Sequence, residues 1–140
     1  MSAGRVSQTD SMQQESYRET ISRRSESDFT HKKILDNGGE FARVVIQLEP
    51  LERGAGREFV NAMSNGALPP DFIEGVQQGI CKAAQSGVLY GYPVVDFRAT
   101  LLDGVYHEMD SNLLAFSLAA EQAFWIAMRN AGPKVLLRYE

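Results

Sequence analysis

The chain has 140 residues, 44% of them hydrophobic and 23% charged, which suits one soluble domain with its own core. The formal charge of −4 excludes a generally basic surface, so any nucleic acid must be met by a local patch. A single cysteine, Cys81, excludes an internal disulfide and offers no cysteine-based zinc site. No apolar run is long enough to cross a bilayer, and the missing charged-then-apolar opening segment points to the cytoplasm.

Residues 1–15 hold almost no large apolar side chain and are expected to be a disordered leader or a cloning remnant. The folded domain is expected over 16–140. Tyr17, Glu19 and Ile21 alternate with Ser16, Arg18 and Thr20, which predicts a short strand; charged Ser22 to Asp28 reads as a connection. Phe29 to Leu35 and Phe41 to Leu48 predict a hairpin around Asn37-Gly38-Gly39, since Asn-Gly between β-favouring runs suits a tight turn. Val44, Ile46 and Leu48 would face inward, and Arg43, Val45, Gln47 and Glu49 outward. Pro50 to Arg57 is a Gly-rich turn, and Glu58 to Met63 a strand.

Leu68-Pro69-Pro70-Asp71 opens a helix, with proline and an early acid as start signals. Ile73, Val76, Ile80, Ala83 and Ala84 define its buried face, and Cys81 reads as a small core residue among them. Gly75 and Gly79 cost about 1 kcal/mol each relative to alanine, which points to close packing on the sheet. Gly87 is the expected stop.

The stretch from Gly91 to Ser111 organises the chain. Val95, Phe97, Ala99 and Leu101 alternate with Asp96, Arg98 and Thr100, as a half-buried strand requires. Asp103-Gly104 then reads as a turn, followed closely by Tyr106, His107, Glu108 and Asp110. Asp110 or Ser111 would cap a helix to about Ala131, with Leu113, Phe116, Ala120, Phe124, Ala127 and Ala131 on its main face and Leu114, Leu118 and Trp125 widening it. Gly132-Pro133 ends it, and Val135 to Leu137 is a last strand. This order gives an α+β sandwich with two helices on one face of a mixed sheet.

His107 can donate to a phosphate or a ribose; the plain alternative is a solvated turn histidine. A zinc-protease helix needs a second histidine four positions on, where Ser111 stands, so no metal or catalytic site is expected. Glu108 and Asp110 would order the turn and cap the helix, an effect of about 1 kcal/mol. Arg23, Arg24, Lys32, Lys33 and Arg43 form either a stripe for the RNA backbone or a solvated face. Tyr106 and Phe41 suit base stacking or packing at the base of their own loops, the preferred reading for Phe41.

Several segments in register resemble the fourth domain, domain IV, of elongation factor G, a translational GTPase. They are Ser16 to Ile21, Leu48-Glu49-Pro50-Leu51-Glu52-Arg53-Gly54, Glu58 to Ala62, Gly87 to Asp96 and Leu102 to Ser111, followed by Ala115-Phe116. The order and spacing agree with that family from about Ser16 to about Leu137. The resemblance implies a fold like domain 2 of ribosomal protein S5, with a left-handed βαβ crossover. It implies a tip that enters the small-subunit decoding site and promotes tRNA–mRNA translocation, with His107 where the family has its tip histidine. The implied ribosome-binding residues are Asn37, Gly38, Gly39, Glu40, Asp103, Gly104, Tyr106, His107 and Glu108. Arg23, Arg24, Lys32, Lys33 and Arg43 are the implied contacts to rRNA backbone.

The implied partners are small-subunit rRNA, A-site tRNA, mRNA and other domains of a longer parent, with no membrane and no obligate oligomer. The family has a Gly-Gly-Arg-Gly-Gln-Tyr-Gly type segment in its second tip loop. Here Asp36-Asn37-Gly38-Gly39-Glu40-Phe41-Ala42 stands instead, with a glutamate and no arginine. The alternative is therefore a ribosomal protection protein of the tetracycline-resistance kind, or a divergent paralogue with altered function. No Gly-x-x-x-x-Gly-Lys-Ser/Thr phosphate loop occurs. The chain is expected to be an excised domain and not itself an enzyme. It would hold no cofactor, and GTP and magnesium would belong to the G domain of the parent.

Overall fold

The elements of the computed structural model run β1 (Arg18–Thr20), β2 (Ser25–Leu35), β3 (Gly38–Pro50), β4 (Arg57–Asn61), α1 (Pro70–Ala83), β5 (Phe97–Val105), α2 (Leu113–Arg129) and β6 (Lys134–Leu136). The structure describes residues 17–36 and 38–137; the expected leader, Ser16 and Asn37 lie outside the described residues. The main sheet has the order β2-β3-β5-β4. β2 pairs antiparallel with β3, and β3 with β5. β4 runs parallel to β5, and α1 makes the crossover, so the expected mixed sheet contains a βαβ unit. β1 and β6 form a separate antiparallel ribbon, with Arg18 opposite Leu136 and Thr20 opposite Lys134. The ribbon joins the body through a parallel bridge between Glu19 and Val94.

Val44, Ile46 and Leu48 are fully buried on the inner face of β3, together with Phe97, Ala99 and Leu101 of β5. Phe116, Ala119, Ala120, Ala123, Phe124, Ala127 and Met128 of α2 complete the core. α2 lies across β2 and β3, and α1 lies along α2. β2 begins four residues before the expected Phe29, where the charged sequence suggests a connection, because Ser27 turns inward and its Oγ donates to Ala123 O at 2.6 Å. Trp125 is only partly buried; its indole N–H reaches Ala83 O and Ser86 O at 3.2 and 3.1 Å. These bonds tie α2 to the C-terminal end of α1, where Ala83 O also accepts from Ser86 N at 3.2 Å.

The two helical glycines pack on α2 and not on the sheet. A Cβ on Gly75 would lie 2.5 Å from Leu113 O, and one on Gly79 would strike Ser117 O and lie 2.9 Å from Ala120 Cβ. α1 stops at Ala83, short of Gly87, whose missing side chain makes room for the Glu19 carboxylate. Cys81 is exposed, because it follows Ile80 on the helix and so sits about 100° around from the buried face. Leu114 is 60% exposed and does not widen the α2 core.

Two readings of the β5 region need correction. Asp96 does not point to solvent: it is 2% exposed, has φ of 62° and accepts the N–H groups of Gly54 and Gly56 on Oδ1 at 3.1 and 2.9 Å. Asp103-Gly104 is not a turn but lies within β5. The pairing steps from Ile46↔Leu101 to Val45↔Asp103, so Leu102 is an extra residue, a bulge. Beyond it Asp103 faces out and Gly104 faces in, with Leu68 Cδ1 only 2.8 Å from where a Cβ would stand.

The cap of α2 is Asn112, two residues beyond Asp110 and one beyond Ser111, the expected caps; its side-chain Oδ1 accepts from Ala115 N at 2.7 Å. Asn112→Ala is expected to cost about 1 kcal/mol in urea unfolding, while Asp110→Ala leaves the cap intact. Equal losses from the two would place the cap elsewhere.

Candidate nucleic-acid interface

The β2–β3 turn and the segment after β5 meet at one end of the sheet. Gly38 has φ of 130°, a conformation that disfavours any side chain. A Cβ on Gly39 would lie 2.8 Å from Lys33 O, so the hairpin closes only around glycine. After β5 the chain turns back on itself, with Asp110 N and Ser111 N donating to His107 O at 3.2 and 2.9 Å.

The two loops are fastened to each other. Phe41 N donates to Asp110 O at 2.9 Å. Ser111 Oγ donates to Phe41 O at 2.6 Å and accepts from His107 N at 2.9 Å. The Phe41 and His107 rings stack, with centroids 3.8 Å apart and planes 18° from parallel. Phe41 thus packs across to the other loop, and not only on its own. An open groove of about 300 Å³ lies here, lined by Lys32, Lys33, Glu40, Phe41, His107 and Asp110 among others.

Of the residues implied for the tip, Gly38, Gly39, Glu40 and His107 come together, with Lys32 and Lys33 beside them; Asn37 lies outside the described residues. Glu40 is engaged by His31 Nε2 at 2.8 Å. Glu108 is exposed. Tyr106 turns toward α1, with an edge-to-face contact to Phe72 at 5.5 Å, and Phe72 stacks on Phe116 at 4.9 Å. Asp103 and Gly104 belong to the strand supporting the loop, where Asp103 Oδ1 accepts from Gly104 N at 2.9 Å.

The five basic residues are spread along the β2–β3 pair and do not gather at one point. Arg43 donates twice to Asp28, at 3.0 and 2.7 Å, and lies 3.5 Å from Asp103. Its hydrogen bonds hold the Asp28 carboxyl below the usual carboxylate range, and Asp28 in turn raises the guanidinium. Both side chains are substantially exposed, so the pair adds little stability. Arg23 and Arg24 precede β2, a strand of 11 residues, so they stand roughly 35 Å from the turn. Only Lys32 and Lys33 remain at the tip. Sequence reasoning passed over Ile34 and Met109, which are 86% and 91% exposed; the signal available was a large apolar residue beside each turn.

Among the described residues no group of three or more His, Cys, Asp or Glu could hold a metal ion. No helix there is long and apolar enough to cross a membrane.

The family model described as "Elongation factor G, domain IV" matches residues 13–132. The elongation factor G of Orientia tsutsugamushi (strain Ikeda) is 51% identical over 120 residues, which is 86% of this chain and 17% of that protein. The elongation factor G of Hyphomonas neptunium is 47% identical over 123 residues, 88% of this chain and 17% of that one. The chain therefore spans about a sixth of the length of these curated relatives. A crystal structure of a protein from Thermus thermophilus superposes with a TM-score of 0.80 at 38% identity, covering 86% of this chain and 18% of that one. With the family model matched over most of its length and the βαβ sheet in place, the chain belongs to the elongation factor G, domain IV, family.

Proposed function

We propose that this domain is the ribosome-binding tip of an elongation factor G-like translational GTPase and enters the decoding site of the small subunit to promote tRNA–mRNA translocation. The observation that carries this reading is the fastening of the two loops through Phe41, His107 and Ser111. The mechanism is steric and recognitional. A tip that keeps tRNA from slipping back resists only as far as its own backbone holds, and hydrogen bonds between the loops stiffen it.

His107 supplies ring N–H to a ribose hydroxyl or a phosphate. Lys32 and Lys33 supply charge to the RNA backbone, which positions the tip without reading sequence. Arg43 and Arg98 on the sheet are already paired with Asp28 and Glu49, which leaves Lys32 and Lys33 as the cations beside the His107 loop. The energy comes from GTP hydrolysis in a G domain of the longer protein, where GTP and magnesium are held.

The test is single-turnover tRNA–mRNA movement by the full-length protein that carries this domain. His107→Ala removes a hydrogen bond worth about 1.5–3 kcal/mol if a charged partner accepts it, so movement slows about ten- to a hundredfold. GTP hydrolysis stays unchanged. If the unmodified protein moves nothing but releases tetracycline from ribosomes, the translocase reading is overturned in favour of ribosomal protection.

A further inference from the structure

We infer that Phe41 is a positioning residue for His107, and that through it the β2–β3 hairpin acts on the RNA by way of this imidazole. The inference rests on the reading of His107 given above.

The hairpin segment Asp36-Asn37-Gly38-Gly39-Glu40 contains no cation. Its glutamate is engaged inward by His31, and Lys32 and Lys33 stand on β2 before the turn. What the hairpin does present to the neighbouring loop is Phe41. The backbone of Phe41 is held on both sides, its N–H by Asp110 O and its carbonyl by Ser111 Oγ. Its ring covers one face of the exposed His107 ring at 3.8 Å. The last torsion of a histidine side chain is broad and weakly restrained. An imidazole on an exposed loop therefore samples many orientations unless a flat neighbour selects one, and near-parallel stacking at this distance does so. Ser111 adds a second link, since the same hydroxyl contacts the Phe41 carbonyl and the His107 N–H. Glycine at 38 and 39 lets the hairpin close tightly enough to place that ring.

The first arm of the test is NMR of the 140-residue chain. In the unmodified protein the His107 ring protons are displaced upfield by the Phe41 ring current. Phe41→Tyr keeps the displacement, and Phe41→Leu returns it to the value of a free histidine, with the amide resonances of β3 and α2 in place as evidence of folding. A displacement that survives in Phe41→Leu overturns the positioning role.

The second arm is a double-mutant cycle in the movement assay. Phe41→Leu slows movement about tenfold, Phe41→Tyr restores it, and Phe41→Leu adds no further slowing to His107→Ala. Multiplying effects, or a slowing by Phe41→Leu where His107→Ala has none, would mean that Phe41 meets the RNA directly and would overturn the inference. If neither substitution slows movement, the reading of His107 fails and the inferred route to RNA fails with it. The NMR arm then reports separately that the ring contact exists.

Discussion

Gly79→Ala is expected to destabilise the domain by about 2 kcal/mol, against the rule that alanine in a helix interior is worth about 1 kcal/mol more than glycine. The sign turns on what the new methyl group meets. At Gly79 it strikes Ser117 O and approaches Ala120 Cβ, and at Gly75 it would lie 2.5 Å from Leu113 O. The obstacles are mostly backbone atoms of α2, which cannot rotate away as a side-chain end can. α1 and α2 must separate along their shared length, and the packing of Val76 and Ile80 loosens with them. For a domain of this size the midpoint of thermal unfolding should fall by about 8 °C. A rise in that midpoint would show that the helices have room to spare.

Glu19→Ala is expected to cost more, on the order of 4 kcal/mol, because it removes three hydrogen bonds to one buried carboxylate, each worth about 1.5–3 kcal/mol. Glu19 is fully buried. Its Oε1 accepts from Leu89 N at 3.0 Å, and its Oε2 from Tyr90 N and Tyr92 N at 2.8 and 3.0 Å. The carboxylate therefore serves as the hydrogen-bond partner for a whole loop that follows α1. Against a total stability of about 5–15 kcal/mol, the loss is a large share. Urea unfolding measures the total, and hydrogen exchange at Leu89, Tyr90 and Tyr92 locates it. Glu19→Gln keeps an acceptor oxygen but aims N–H at a donor, so it should fall between. A cost below about 1 kcal/mol for Glu19→Ala, with those amides still protected, would show that water replaces the carboxylate.

The contrast between these two sites shows which parts of the fold are written locally. Gly75 and Gly79 stand out as a cost within a helical period, so a close approach is legible; only the partner, α2 and not the sheet, is decided by tertiary packing. Glu19 reads as an ordinary alternating strand residue, and its donors lie some seventy positions away in sequence. Asn37-Gly38-Gly39 announces the hairpin, and Val44, Ile46 and Leu48 announce its buried face. Asp103-Gly104 has the chemistry of a turn, yet the bulge at Leu102 absorbs the extra residue and carries the strand through. Asp96 has the spacing of an outward strand residue and instead adopts φ of 62° to gather two glycine N–H groups. Asn112 is hidden as the helix cap because Asp110 and Ser111 offer the same chemistry beside it. At the tip, His107 stands out by resemblance and its loop by residue types. Its ring partner is not legible, because the Phe41 contact joins two loops far apart in the chain.

The β1–β6 ribbon has a mechanical consequence. Arg18 and Leu136 sit opposite one another, so both strands enter and leave the domain at the same root. The hairpin end lies at the far end of β2, roughly 35 Å of strand away. Thrust delivered along both strands at once passes into the sheet with the ribbon bonds unloaded. A force that draws the two strands apart meets the same bonds one after another, from Arg18 and Leu136 inward, and opens them like a zip. Under such a force the β1–β6 pairing opens first between Arg18 and Leu136 and last between Thr20 and Lys134.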